Sequence, residues 1–472
     1  MMGVLSNLEP KAALRFFEEI CAIPHGSRDT KRISDYVVRF AQEHGLKYIQ
    51  DEANNVVIYK PASAGYENHP TVIMQGHMDM VCEKDEDCDI DFAKDGLRLR
   101  YDGKFISADG TTLGADDAIA VAYQLAVLES KELKHPPIEA VFTTDEEIGM
   151  LGADAMDMSV LQGRILLNGD SEDEGILTVG CAGGKCAVLT KPIRREQADG
   201  KIWRMAVADL IGGHSGVEIN SGRANANKVL SDILKALPVR LISVCGGQKD
   251  NVITRASEAL VVADAPESAF FARAEEVRKL LPLTETAVRF ICEPAQTDLL
   301  PMSEEDSKQL IDLLYEAPQG VQAMSRDIDG LVQTSLNLGV LITEQDCVKM
   351  TFSVRSSVNA EKAELSQKLC TLGQRYGAQY SEFGDYPAWE YQKDSLLRDT
   401  MIAVFCEQYG KEPKIEAIHA GLECGIFYDR LPGLDAVSFG PQMFDIHTSR
   451  ERLDAASAER TWKLLIEVLA RL

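Results

Sequence analysis

Four short stretches of this chain carry side chains able to hold a cation or move a proton. His77 and Asp79 stand in Gly76-His77-Met78-Asp79, and Asp116 closes Leu113-Gly114-Ala115-Asp116. Glu146 and Glu147 follow Ala140-Val141-Phe142-Thr143-Thr144-Asp145, and Asp170 follows Ile165-Leu166-Leu167-Asn168-Gly169. One imidazole and several carboxylates form an N/O donor set that suits Zn²⁺, which takes such ligands at ~2 Å. Taken singly, each stretch has an ordinary role: Asp116 would cap a helix, and Glu146-Glu147 or Asp170 would end a strand in solvent. Four of them in order, each beyond an apolar strand or at a helix start, point to one site.

The elements that must position these groups alternate in type. Helical spacing of apolar residues marks Pro10 to Cys21 and Ile33 to Glu43, while Val56 to Tyr59, Thr71 to Met74, Ile138 to Thr143 and Arg164 to Leu167 read as strands. An Ala-rich helix is expected over Asp117 to Leu128. Strands alternating with helices predict an α/β fold with a mostly parallel sheet covered by helices. Groups beyond the carboxyl ends of such strands converge on one crevice. Near residue 188 the character changes to basic and polar residues, followed by a new series: strand Trp203 to Asp209, helix Ala224 to Leu237, and strands around Ala259 to Ala263 and Val348 to Val354. After Tyr386-Pro387 the earlier style returns, with helix Leu396 to Tyr409, strands Ile415 to Ile418 and Ala436 to Phe439, and a long helix from Asp454. The expected organisation is a discontinuous catalytic domain, 1–188 and 388–472, interrupted by an inserted α+β domain, 189–387.

Composition narrows the function. The 472 residues are 45% apolar, enough to fill sizeable cores, and 49 Lys plus Arg against 74 Asp plus Glu leave a net charge of −25. That excess repels phosphate backbones and anionic lipid, so neither nucleic acid nor a membrane surface is an expected partner. The longest apolar stretch, Ala118 to Leu128, is too short to span a bilayer, and Met1 to Ile20 lacks the pattern of a signal peptide. Eleven cysteines at irregular spacing, with no C-x-x-C, read as reduced thiols. A cytoplasmic protein is expected. Gly180 to Lys185 lacks the glycine and hydroxyl spacing of a phosphate loop, the acidic run Asp85 to Asp91 lacks the turn glycine of a calcium loop, and no G-x-S-x-G supports a serine hydrolase.

The same stretches resemble the aminoacyl-histidine dipeptidases, a branch of the co-catalytic dizinc metallopeptidases. The resemblance is carried by Gly76-His77-Met78-Asp79-Met80-Val81, by Gly110 to Asp117, by Asp145-Glu146-Glu147-Ile148-Gly149 and by Gly169 to Gly175. It continues through Gly180-Cys181-Ala182-Gly183-Gly184, Gly212-Gly213-His214-Ser215-Gly216 and His419-Ala420-Gly421-Leu422-Glu423-Cys424-Gly425, in family order over most of the chain.

The resemblance implies roles. Asp116 would bridge two Zn²⁺ per chain (Co²⁺ or Mn²⁺ substituting), with His77 and Asp170 completing one site and Glu147 and His447 the other. Relatives usually read His-Ser-Pro where this chain reads His447-Thr448-Ser449. Asp79 would accept a hydrogen bond from His77 and fix its tautomer. Two ions ~3.5–4 Å apart would activate a water, Glu146 would serve as general base, and His214 of the inserted domain would supply an oxyanion donor. Arg355 would grip the substrate carboxylate, Asn251 would contact substrate, and Glu423 goes with free-amine substrates. The implied activity is hydrolysis of unblocked dipeptides, Xaa-His and beta-alanyl-His included, by a homodimer built through an inserted lid and dimerisation domain. The same centre would also serve an N-acyl-amino-acid amidohydrolase or an aminotripeptidase. A metal-free binding or scaffold relative is the reading from another class, and the intact Glu146 argues against it.

Overall fold

The structure, a computed structural model, describes residues 3–472. The chain divides into two compact units. One takes in the chain up to Gly180, then Tyr391–Ala417 and Leu422–Leu472; the other comprises Cys181–Glu390 and Ile418–Gly421.

The first unit is built on an eight-stranded sheet whose four central strands, Ile138–Thr143, Val72–His77, Ile165–Asn168 and Asp435–Ser438, lie side by side and run parallel. Antiparallel strands Val56–Lys60 and Lys47–Gln50 extend one edge. The three central strands that precede the site loops are buried along their whole length, which explains their near-continuous apolar runs. The Ala-rich stretch forms the helix Ala115–Glu129, in which every residue from Ala115 to Leu128 is buried. It is a core helix, mostly apolar round its circumference because protein surrounds it, with Asp116, Asp117 and Gln124 as its buried polar exceptions. Among the described residues no helix is long and apolar enough to cross a membrane.

Two boundaries differ from expectation in ways that matter. The strand beginning at Val72 does not stop at Met74 but runs through His77, because Gln75, Gly76 and His77 keep pairing with Val141, Phe142 and Thr143. His77 is thus the strand's last residue rather than part of a loop. The helix begins with Gly114 as its N-cap and no side-chain cap hydrogen bond, so the Asp116 carboxylate is free for another task. The Asp116–Asp117 peptide is cis.

The second unit is a nine-stranded sheet in the order Arg289–Pro294, Lys201–Ala208, Ser257–Ala263, Arg240–Gly246, Val332–Thr343, Cys347–Ser356, Gly183–Pro192, Gln379–Tyr386, with Gly320–Met324 also paired to Val332–Thr343. Its strand pairs are antiparallel. Helices Ala226–Lys235, Glu267–Arg278, Glu304–Glu316 and Asn359–Arg375 contribute Leu230, Phe270, Leu310 and Leu369 to a core shared with Met205, Val261 and Phe352 of the strands.

Candidate metal centre

The parallel strands of the first unit deliver their ligands as strand ends. His77 closes one strand, Glu146 and Glu147 lie just past Thr143 on the next, and Asp170 lies two residues past Asn168 on the third. The helix Ala115–Glu129 brings Asp116 among them in its first, non-helical turn.

The two carboxylate oxygens of Asp116 face two different histidines. Oδ1 is 3.1 Å from His77 Nε2 and Oδ2 is 3.2 Å from His447 Nε2. His77 Nε2 lies 3.8 Å from Asp170 Oδ1, and His447 Nε2 lies 3.0 Å from Glu147 Oε1. Two triads result, His77–Asp116–Asp170 and Asp116–Glu147–His447, the ligand atoms of each lying within 4.8 Å of one another. All five residues for which the resemblance implied metal binding are brought together, and Asp116 belongs to both groups.

The surroundings hold this arrangement. His77 Nδ1 has the backbone carbonyl of Asp79 at 2.9 Å and the Asp79 carboxylate at 3.5 Å. Both are acceptors, which fixes Nδ1 as the donor nitrogen and leaves the Nε2 lone pair aimed at Asp116 and Asp170. The Asp79 carboxylate in turn accepts from Ser27 Oγ at 2.8 Å and from the backbone N–H groups of Glu146 and Glu147 at 3.0 and 3.4 Å. One buried carboxylate thereby orients the strand-end histidine and the turn that carries the acidic pair.

Electrostatics give the fit test for a cation. Burial, with the negative charge of Asp116 beside it, pushes Asp170 well above the ordinary carboxylate range. Burial, together with Glu423, Asp116 and Glu147, raises Glu146 to about 8. For His77, burial works toward the neutral form, but Asp116 and Asp79 outweigh it and hold the imidazole well above its usual value. Hydrogen bonds to Asp116 and Glu147 raise His447 to about 10. Buried Glu147 Oε1 takes no hydrogen bond of acceptable geometry, although His447 is close. Too many buried acids face too few positive charges, with lone pairs directed at common points. Divalent cations fit this donor set.

Below the ligands lies a polar network that the motifs did not disclose. Gln75 Nε2 and Thr143 Oγ1 each donate to Glu423 Oε2 at 2.6 Å, and Asn168 Nδ2 donates to Gln75 Oε1 at 2.6 Å. Glu423 is fully buried, raised by that burial to about 7, and its Oε1 has no hydrogen-bond partner among the described residues. The available signal was Gln75 itself, a long polar side chain directly after the apolar run Val72-Ile73-Met74.

The remaining three residues with implied roles, His214, Asn251 and Arg355, belong to the second unit. Arg355 Nη1 donates to Tyr386 OH at 2.9 Å, while its buried Nε has no partner among the described residues. Ser335, opposite Arg355 in the ladder, lies 2.7 Å from His419 Nε2. Burial and the Arg355 charge lower both His214 and His419, the latter to about 4 with His214 contributing. Arg355, His214 and His419 therefore share one electropositive neighbourhood. The Asn251 carbonyl accepts from Ser215 N–H at 2.8 Å, and Asn251 Oδ1 is buried without a partner among the described residues. Neither Tyr386 nor His419 was singled out for this role from the sequence.

Residues 73–471 match the family described as peptidase family M20/M25/M40. The chain belongs to this family. It is 35% identical over 479 aligned positions to the cytosol non-specific dipeptidase of Escherichia coli strain K12, covering 99% of each chain. Among solved structures it is similar to the aminoacylhistidine dipeptidase from Vibrio alginolyticus, with a TM-score of 0.94 and 37% identity over 100% of this chain and 98% of that one. A tripeptidase from Staphylococcus aureus shares the fold at a TM-score of 0.57 and 15% identity, all of both chains being covered.

Proposed function

We propose that this chain is a metallo-dipeptidase that hydrolyses unblocked dipeptides, Xaa-His among them, at a centre of two divalent cations, zinc by first choice. The observation that carries the reading is the pair of donor triads sharing Asp116 at the ends of parallel strands, in a chain that matches a cytosol non-specific dipeptidase along its whole length.

The residues divide the work. His77, Asp116 and Asp170 would hold one cation, and Asp116, Glu147 and His447 would hold the other. When bound, such a pair supplies Lewis acidity toward the scissile carbonyl and makes water acidic enough to attack near neutral pH. Glu146, whose backbone is tied to Asp79 and whose carboxylate is no member of either triad, accepts the proton of the attacking water and passes it to the leaving nitrogen. Asp79 keeps His77 in the tautomer that presents Nε2. The guanidinium of Arg355, steadied by Tyr386, pairs with the terminal carboxylate of the dipeptide. His214 donates to the oxyanion and Asn251 contacts the substrate backbone, whereas Glu423, fully buried beneath the ligands, is not exposed to a substrate amine and instead anchors Gln75 and Thr143. The second unit serves as lid and dimer contact, giving a homodimer in the cytosol.

The test is a panel of dipeptides, tripeptides and N-acetyl amino acids assayed on protein whose metal content has been counted. Free dipeptides are expected to be cleaved, with two metal ions per chain and little turnover of the other two classes. Preference for acetyl amino acids or tripeptides would replace the dipeptidase reading, and two metals with no turnover of any class would favour a binding relative.

A further inference from the structure

Glu451 takes no part in the mechanism above, yet it is buried at 2% exposure, more so than any proposed ligand except His77. Its carboxylate accepts three successive backbone N–H groups, from Leu113 and Gly114 to Oε2 at 2.8 and 3.0 Å and from Ala115 to Oε1 at 2.8 Å. The next residue along is Asp116. Three N–H groups of consecutive residues can aim at one carboxylate only if the backbone curls into a concave turn. Gly114 makes that turn at φ 65°, where a Cβ would also meet Met80 Sδ at 2.8 Å. The Gly at this position is thus required by conformation and by space.

Glu451 also lies four residues after His447, and the stretch between them is tied down at several points. Glu451 N–H donates to Thr448 O at 3.1 Å, Thr448 Oγ1 to Asp445 O at 2.7 Å, and Ser449 Oγ to Asp85 Oδ1 at 2.5 Å. Immediately afterwards Arg452–Asp454 pairs with Phe105–Ala108. His447 itself sits at φ 58°, a conformation that a non-glycine residue holds only when its surroundings impose it. One short segment therefore carries His447 at one end and, at the other, the anion that grips the loop delivering Asp116.

We propose that Glu451 is a positioning residue, a strut that fixes Asp116 relative to His447 and so sets the geometry of the Asp116–Glu147–His447 triad. This rests on the metal-centre reading above. The His77–Asp116–Asp170 triad is less dependent on the strut, because His77 ends, and Asp170 follows by two residues, neighbouring strands paired from Val72 to Gln75. The two cation sites should therefore respond unequally to loss of Glu451.

The experiment is calorimetric titration of metal-free protein with Zn²⁺ and, in parallel, Co²⁺ with its visible spectrum recorded, on wild type, Glu451→Gln and Glu451→Asp. The amide keeps the size of the side chain but sets an NH₂ against backbone N–H groups. Wild type is expected to take up two ions. Glu451→Gln should keep one near wild-type affinity and bind the second about 10- to 100-fold more weakly, with an altered Co²⁺ spectrum for that ion. Excess metal should restore kcat while KM stays near its original value, and Glu451→Asp should fall between the two. Glu174→Gln is the control for general loss of stability: Glu174 anchors Arg460 and Tyr409 in the same unit at 2.6 Å, and its loss should lower the melting temperature while leaving both ions bound. If Glu451→Gln fails to fold, Glu451→Asp carries the same comparison. Two ions bound at wild-type affinity by the Glu451 variants, equal weakening of both, or the same selective loss in Glu174→Gln would each overturn the inference. A wild type that takes up no pair of ions would overturn the metal-centre reading and this inference together.

Discussion

The two units collect opposite charges. In the first, Asp116, Asp170, Glu146, Glu147 and Glu423 crowd around two histidines, and burial drives several of the carboxyls toward their neutral form. In the second, Arg355, His214 and His419 lie close enough together to depress the protonation of both imidazoles. The first cluster is short of positive charge, and the second is mainly basic, with Glu218 beside His214. A dipeptide hydrolase working with metal ions needs both, because its cofactors are cations and one end of its substrate is an anion. The supports differ as well. The acidic cluster is gripped by backbone N–H groups and strand ends, whereas the basic one lies on and beside antiparallel strands and keeps unpartnered polar atoms such as Arg355 Nε and Asn251 Oδ1. Rigidity suits ligands whose partner is always the same ion, and unfilled hydrogen-bonding capacity suits a substrate that comes and goes.

The largest effect should come from the residue both triads share. Asp116→Ala is expected to lose both metal ions and reduce turnover to background, as measured by metal counting alongside the dipeptide assay. Retention of one ion at native affinity would break the shared-ligand assignment. Glu146→Gln separates chemistry from coordination. It should keep two ions yet lose about 10³- to 10⁴-fold in kcat, and near-normal kcat would remove Glu146 as the base.

An intermediate effect is expected in the second unit. Arg355→Ala should leave metal content unchanged and lower kcat/KM by roughly 100-fold, in line with the loss of one desolvated charge pair. Most of that loss should appear in KM. Dipeptide amides, which lack the terminal carboxylate, should respond far less to the substitution than free dipeptides. An equal loss on both substrates would mean that Arg355 supports the fold rather than the substrate.

The same contrast explains what could be read before the fold was known. Metal ligands follow strands, so His77, Glu147 and Asp170 announce themselves as polar residues breaking long apolar runs, and the parallel order of those strands makes them converge. The supports are less visible. Glu451 is a lone acid in Arg450-Glu451-Arg452, a sequence that looks like solvated surface, and its contact is with backbone atoms 336 to 338 residues away. Gln75 gave a usable signal; Tyr386 gave none, because its meaning depends on a strand that pairs with Gly184 beside Arg355. Helices such as Glu267–Arg278 were also hard to read, since their charged residues outnumber the few positions that reach the core, Phe270, Ala274 and Val277.

The smallest expected effect is on stability, and it sharpens the contrast by having opposite signs in the two units. In metal-free protein Glu146 and Glu423 are raised from 4.5 to about 8 and about 7, burial being the main cause. Between pH 4.5 and 8 the native state therefore binds more protons than the unfolded chain, and the first unit loses stability as pH rises. His419 is lowered from 6.5 to about 4 by burial, Arg355 and His214. Between pH 4 and 6.5 the native state binds fewer protons than the unfolded chain, and the second unit loses stability as pH falls. Hydrogen exchange, corrected for intrinsic rates, should show protection of Val72–His77 declining from pH 5.5 to 8 and returning when metal is added. Protection of Val332–Thr343, which carries Ser335 against His419, should decline from pH 6.5 to 4.5 irrespective of metal, and His419→Gln should flatten that decline. If both strands moved in the same direction with pH, the division into an acid-rich and a base-rich region would not describe how this protein carries its charge.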